Sequence, residues 1–231
     1  MTNFNDVVSQ FRIEGTVESV SPIGNGLINE TLRVKTVDAN TPDYILQRIN
    51  NAIFTDVDLL QHNIELVTDH IRHKLMEKGE TDIERKCLRF VQAKDGKTYY
   101  KDADNLYWRV SVFIPNAVTK EEVNPESAFC CGETFGNFQN MLVDLKEPLG
   151  ETIPDFHNME LRLRQLREAV SADKAGRVAS VKDMIAELES YADEMCLAER
   201  LYREGALPKR ICHCDTKVNN MMFDKDGKVL C

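Results

Sequence analysis

The chain has 231 residues, 42% of them hydrophobic and 29% charged, with a formal net charge of −9. That length supports one large domain or two small ones. The acidic balance argues against nucleic acid or an anionic membrane as a partner, and seven Pro with eleven Gly argue against a linker-rich or disordered chain. A phosphorylated ligand stays open, because a few cations or a metal reverse the local field inside a cleft. No apolar run reaches the length of a membrane span, and MTNFNDVVSQF lacks the basic start and apolar core of a signal peptide. Seven Cys is an odd count without framework spacing, which reads as thiols in a reducing cytoplasm.

In chain order, the first stretch reads as strands around one helix. GTVESVSPIG alternates and then breaks at Gly24 and Gly26; INETLRVKTV alternates again, and PDYILQRIN is a third β-rich run. TDVDLLQHNIELVTDHIRHKL places Val57, Leu60, Ile64, Val67, Ile71 and Leu75 at helical spacing, with Thr55 or Asp56 as N-cap. LRFVQAKDGKTYYKD predicts a hairpin turning at Asp95-Gly96, and LYWRVSVFIP a last strand closed by Pro115. The second stretch is mainly helical. One helix starts near Pro125, another covers NMELRLRQLREAVSAD, and a third runs from about Val181 to Arg203. MMFDKDGKVLC then reads as a hairpin turning at Asp226-Gly227.

The organisation predicted is α+β: a small antiparallel β-sheet lobe with one long helix over 1–114, then a mainly helical lobe over 115–231. The densest chemistry lies at the end of the helical stretch, where His213, Asp215, Lys217 and Asn220 form H-x-D-x-K-x-x-N. Phosphoryl transfer gives this spacing a reason. Asp215 beside an acceptor hydroxyl orients it and takes its proton, and Lys217 offsets the charge of the transferring phosphate. Asn220 supplies a neutral oxygen to Mg²⁺, and His213 braces the loop through backbone hydrogen bonds. The pattern has the spacing and residue types of the protein-kinase catalytic loop. Two plainer readings compete: a polar turn between helix and strand, and a Cys-His-Cys metal site. The second lacks another ligand pair at suitable spacing.

A kinase-like lobe also needs a phosphate-covering turn, and Gly24 and Gly26 sit between two predicted strands, as that role requires. Gln47 and Arg48 are neighbours on the third strand and point to opposite faces, so one of them faces the phosphates; charge favours Arg48. Glu65, mid-helix, is the candidate partner for that side chain. Phe113 and Ile114, at the end of the last strand, are positioned as the hinge that meets adenine. Each has a structural alternative, as a hairpin turn, a surface ion or core.

The stretches GNGLINET, DYILQRIN, NIELVT, WRVSVFI, FGNFQN, ETIPDFHN and HCDTKVNNMMFD together resemble the aminoglycoside/choline phosphotransferase superfamily, a branch of the protein-kinase-like fold, and within it the N-acetylhexosamine 1-kinases. The resemblance implies a bilobal fold and an ATP- and Mg²⁺-dependent kinase. Its product would be the 1-phosphate of N-acetylglucosamine or N-acetylgalactosamine. It matches Asp215 to the catalytic Asp and Asn220 to the metal-binding Asn, and Lys217 is the loop Lys that the sugar kinases carry. The family's strand reads Leu-Gln at Leu46-Gln47, which raises Gln47 over Arg48 as the phosphate contact. Phe156 and His157, in ETIPDFHN, become candidates for lining the sugar site, with a packed helix connection as the alternative. The family runs on from the position of Cys231 into a strand whose Asp binds Mg²⁺. The expectation is therefore a C-lobe incomplete before that carboxylate, and a 231-residue chain that is inactive or nearly so. Competing functions are a kinase for choline, ethanolamine, homoserine or an aminoglycoside, and a non-catalytic kinase-like module that binds nucleotide or a protein partner.

Overall fold

Strands β2 (Glu30–Thr36) and β3 (Tyr44–Ile49) show why a sheet forms here: every second side chain, Leu32, Val34, Tyr44 and Leu46, is at most 2% exposed. Alternation of this kind buries one face and leaves the other for different duty. The computed structural model describes residues 3–24 and 28–231. In it β1 (Val17–Pro22), β2, β3, β4 (Phe90–Val91), β5 (Tyr100–Lys101) and β6 (Tyr107–Val112) form one antiparallel sheet in the order β1-β2-β3-β6-β4, with β5 also paired to β6. The turn at Asp95-Gly96 forms, with Gly96 at φ +92°. Across the turn the Ala93 amide donates to the Lys97 carbonyl at 2.7 Å, and beyond it both flanks pair with β6, Phe90 opposite Ser111 and Tyr100 opposite Trp108.

The buried face carries Leu32, Val34, Tyr44, Leu46, Trp108 and Val110, covered by Val7, Val8 and Phe11. Val7 and Val8 belong to a five-residue helix, α1 (Phe4–Val8), that was not expected from the sequence. Such a short helix has no stability of its own and exists because its apolar side docks on the sheet. Trp108 stacks edge-on against Phe4 at 5.9 Å, and its indole N–H donates to Asp102 at 2.8 Å.

The long helix α2 (Val57–Glu77) starts where the sequence places it: Asp56 is its N-cap and accepts from the Leu59 amide at 2.9 Å. Helix α3 (Ile83–Lys86) is a single turn after it. Helix α4 (Pro125–Met141) opens with a capping box between Asn124 and Ser127 and has Pro125 at its start. Ile71, Cys87 and Leu142 form a second apolar cluster joining α2 to the end of α4, with Phe138, Met141 and Ile211 around it.

By backbone contacts the chain divides into two compact units, Met1–Thr152 with Ile211–Cys231, and Ile153–Arg210. In this division the segment 115–152 and the final 21 residues group with the sheet. The second unit holds α5 (Met159–Ala172), α6 (Lys182–Ser190), α7 (Ala192–Met195) and α8 (Leu197–Arg203). The stretch expected as one helix from Val181 to Arg203 is thus three pieces, joined at Tyr191 and Cys196 by tighter turns. Little in this unit is buried apart from Ala192. Ion pairs tie its helices: Arg167 to Glu189 at 2.7 Å, and Arg203 to both carboxylate oxygens of Glu160 at 2.7 and 2.9 Å. Among the described residues no helix is long and apolar enough to cross a membrane.

Candidate active site

The loop 213–220 is polar outside and anchored from below. Val218, Met221 and Phe223 are 6%, 1% and 0% exposed and pack on Cys130, Cys131 and Phe135 of α4 and on Val229. One 3-10 turn, Val218–Asn220, sends Val218 inward and leaves Asp215, Lys217 and Asn220 at the surface. The hairpin behind it closes at Asp224–Lys228, where the Asp224 carboxylate accepts from the Asp226 and Lys228 amides and Gly227 takes φ +81°. Phe223 pairs with Val118 through both backbone bonds, at 2.9 and 2.8 Å.

Three side chains of the motif meet. Lys217 Nζ lies 2.9 Å from Asp215 Oδ1 and 3.2 Å from Oδ2. Asn220 Nδ2 donates to the Asp215 carbonyl at 2.7 Å and to Oδ2 at 2.9 Å. His213 is held by rings rather than by backbone hydrogen bonds: its imidazole lies 5.0 Å from Phe135 and 5.8 Å from Phe138, both on α4. Between His213 and Asp215 the chain passes through Cys214 at φ +64°, a left-handed conformation that is costly for a residue with a Cβ. That turn lets the His ring face α4 while the next residue presents its carboxylate outward.

The Lys217 ammonium, and after it the Asn220 amide, hold the Asp215 carboxyl below its ordinary range. A depressed folded-state value means that Asp215 stays ionised to lower pH than an ordinary aspartate does. The small stability contribution of this exposed pair is present above the unfolded value and is lost as pH falls through the folded one. Lys217→Met therefore moves the Asp215 titration midpoint upward, toward the ordinary value of about 3.9. Carboxyl ¹³C NMR checks this, and an unmoved midpoint removes Lys217 as the cause.

On the sheet, register settles which of Gln47 and Arg48 faces which way. Arg48 lies on the α1 side, opposite Trp108, and its Nε is 3.2 Å from Glu30. It lines a cavity of about 700 Å³ with Phe4, Val8 and Trp108. Gln47 is on the other face, in a row Thr31–Gln47–Arg109 across three strands. Gln47 Nε2 donates to Thr31 Oγ1 at 3.0 Å, and Gln47 Oε1 accepts from Arg109 Nε and Nη2 at 2.9 and 2.6 Å. Arg109 Nη1 reaches Gln61 Oε1 of α2 at 3.2 Å. Gln61, 2% exposed, donates to Thr98, whose hydroxyl donates to Glu65. Glu65 and Arg48 are thus not brought together: α2 is tied to the sheet by a relay of amides and a guanidinium. Burial pushes the Arg109 pKa down to about 10, which leaves it a cation at neutral pH.

Gly24 takes φ +70° with open space around it, while Gly26 lies outside the described residues. The Phe113 amide donates to the Asp43 carbonyl at 2.9 Å and its ring carries the Arg33 guanidinium at 4.3 Å. Ile114 is 5% exposed. Phe156 and His157, in the second unit, stack edge-on at 4.5 Å, with Phe156 exposed. Arg109 and Gln61 were missed in the sequence. The available signals were a lone charge inside an apolar strand, YWRVSV, and an amide at a helix position otherwise spaced for apolar residues.

Against known families, residues 19–231 match the phosphotransferase enzyme family. The chain belongs to that family. Solved structures agree on the fold of this chain, a mixed α+β, kinase-like architecture. An aminoglycoside phosphotransferase from Alicyclobacillus acidocaldarius superposes with a TM-score of 0.58 at 18% identity, over 100% of this chain and 64% of that protein. A spectinomycin phosphotransferase, solved with ADP and spectinomycin, gives 0.58 at 11% identity over 99% of this chain and 67% of its own. The chain thus spans about two thirds of the length of each.

Proposed function

We propose an ATP-dependent small-molecule kinase that phosphorylates the anomeric hydroxyl of an N-acetylhexosamine, giving the sugar 1-phosphate. The observation that carries the kinase reading is the convergence of Lys217 and Asn220 on Asp215 within one anchored loop of a phosphotransferase family member. In this reading Asp215 orients the acceptor hydroxyl and takes its proton, and Lys217 stabilises charge on the transferring phosphoryl group. Gly24 and Gln47 face the nucleotide phosphates, and Phe113 and Ile114 the adenine; Gly26, the other glycine of that turn, lies outside the described residues. Glu65 acts indirectly, through Thr98 and Gln61. Arg48, on the far face with Glu30, takes no part in nucleotide binding. Phe156 and His157 offer an aromatic edge and a hydrogen-bonding ring to a sugar.

Asn220 is the residue that offers Mg²⁺ an oxygen, because its amide nitrogen is engaged by Asp215. Among the described residues no group of three or more His, Cys, Asp or Glu is placed to hold a metal. Mg²⁺ in such sites commonly takes one or two protein carboxylates besides phosphate oxygens and water, and Asn220 is the one protein oxygen this reading assigns to it. When bound it neutralises charge on the phosphate oxygens.

A second reading is a kinase for another small alcohol, supported by the aminoglycoside and spectinomycin phosphotransferases among the solved structures. ADP release by the protein separates the two across N-acetylglucosamine, N-acetylgalactosamine, choline, ethanolamine, homoserine and an aminoglycoside. The expected result is turnover with the two amino sugars and none with their methyl glycosides, whose anomeric oxygen is blocked. Turnover with a methyl glycoside or with an amino alcohol overturns the sugar 1-kinase reading in favour of the second.

A further inference from the structure

The charges of the sheet are almost all compensated. Arg33 reaches Asp43 Oδ2 through Nε and Nη2 at 3.2 and 2.7 Å, Lys35 meets Glu18 at 2.7 Å, and Arg48 meets Glu30 at 3.2 Å. Arg109 is the exception on β6. It is half-buried, and among the described residues it forms no ion pair. Its acceptors are two neutral amide oxygens, those of Gln47 and Gln61, and the Phe90 ring lies 5.5 Å from its guanidinium carbon. The nearest carboxylate along the relay, Glu65, is separated from it by Gln61 and Thr98. A cation withdrawn from water without a counter-charge loses hydration that amide oxygens only partly return. Such a group is stabilised when an anion arrives.

We infer that Arg109 is an anion-binding residue, and that its ligand is the phosphate chain of the nucleotide. The inference rests on the kinase reading above. Three observations support it. Gln47 holds the β3 position and brings no charge, whereas a kinase strand carries its phosphate-binding lysine there. Arg109 stands beside Gln47 in the same cross-strand row, on the same face. A guanidinium has five N–H donors, and the hydrogen bonds to Gln47 and Gln61 use three of them. One N–H on each terminal nitrogen remains, a fork that matches two phosphate oxygens. The cation has thus moved one strand over, with Gln47 acting as its brace. Gln61 fixes the other edge of the guanidinium from α2, so its plane is set before any ligand binds.

Calorimetric titration of the protein with Mg²⁺·ATP, Mg²⁺·ADP and adenosine tests this. For Arg109→Met, with its fold checked by circular dichroism, affinity for ATP and ADP should fall by about 10- to 100-fold while adenosine binding is unchanged. Adding Gln47→Lys to that variant returns a cation to the row and should recover part of the loss. If Arg109→Met does not fold, Arg109→Lys assigns the Arg109 Nε–H resonance of the wild-type protein by its disappearance. That resonance should shift with ADP and not with adenosine. ATP and ADP affinities within about twofold of wild type in Arg109→Met, or a resonance indifferent to ADP, overturn the inference. A wild-type protein that binds none of the three nucleotide ligands instead overturns the kinase reading beneath it.

Discussion

Asp215→Asn should lower turnover by about 10²- to 10⁴-fold and leave nucleotide affinity within about twofold, because general-base assistance is worth that much and the substitution removes only the base. Asn keeps the size of Asp and one acceptor oxygen for Lys217 and Asn220, which bond the native carboxylate at 2.9 Å each. The loop's anchors, Val218, Met221 and Phe223, lie beneath it and do not touch the change. The variant therefore tests chemistry rather than folding. The measurement is kcat with saturating ATP and acceptor beside calorimetric nucleotide affinity, both on the same protein. A fall in nucleotide affinity that matches the fall in turnover would make Asp215 a binding residue. Unchanged turnover would remove it from the reaction and favour a module that binds nucleotide without using it.

The largest effect on stability is expected at Phe223→Ala, about 3–5 kcal/mol. Phe223 is fully buried, and it joins three elements. Its backbone pairs with Val118, a second bridge runs to Val229, the Lys120 ammonium lies 4.2 Å from its ring, and the cluster it forms with Val218 and Met221 packs against Phe135 of α4. Truncation leaves a cavity directly under the loop that carries Asp215, Lys217 and Asn220, so both global stability and loop order fall. Urea unfolding followed by fluorescence reads the first, and amide hydrogen exchange at 213–223 reads the second. A loss below about 1 kcal/mol with unchanged exchange would mean that the site collapses around the gap, and that Phe223 is not the anchor the burial suggests. Phe156→Ala, at an exposed ring, is the natural comparison for stability and should lie within about 0.5 kcal/mol of wild type.

Local signals made much of this protein legible. The strands β2 and β3 follow from side-chain alternation, α2 begins at the cap the sequence announces, Asp56, and α4 begins at Pro125, where the sequence expects it. The motif loop is equally local: Asp215, Lys217 and Asn220 span six residues, so one 3-10 turn suffices to bring them together. Helical periodicity over 181–203 was misleading about continuity. A charged, weakly buried stretch has no strong apolar stripe to keep it straight, and the contacts of Glu189 and Arg203 with α5 accompany its division into short pieces.

What the sequence determined by itself was therefore whatever neighbours along the chain could decide: periods, caps, turns and one compact reactive loop. Tertiary structure alone decided the faces. Gln47 and Arg48 are adjacent, and nothing local says which looks toward α2. The answer came from α1, too short to be stable alone, docking on the side of Leu46 and Arg48 and leaving Gln47 for the other. The same holds for Arg109, whose place beside Gln47 depends on a strand register that joins residues 62 positions apart. Side-chain direction in a sheet has a period of two, so the sequence fixes which residues share a face, while only packing fixes what that face meets.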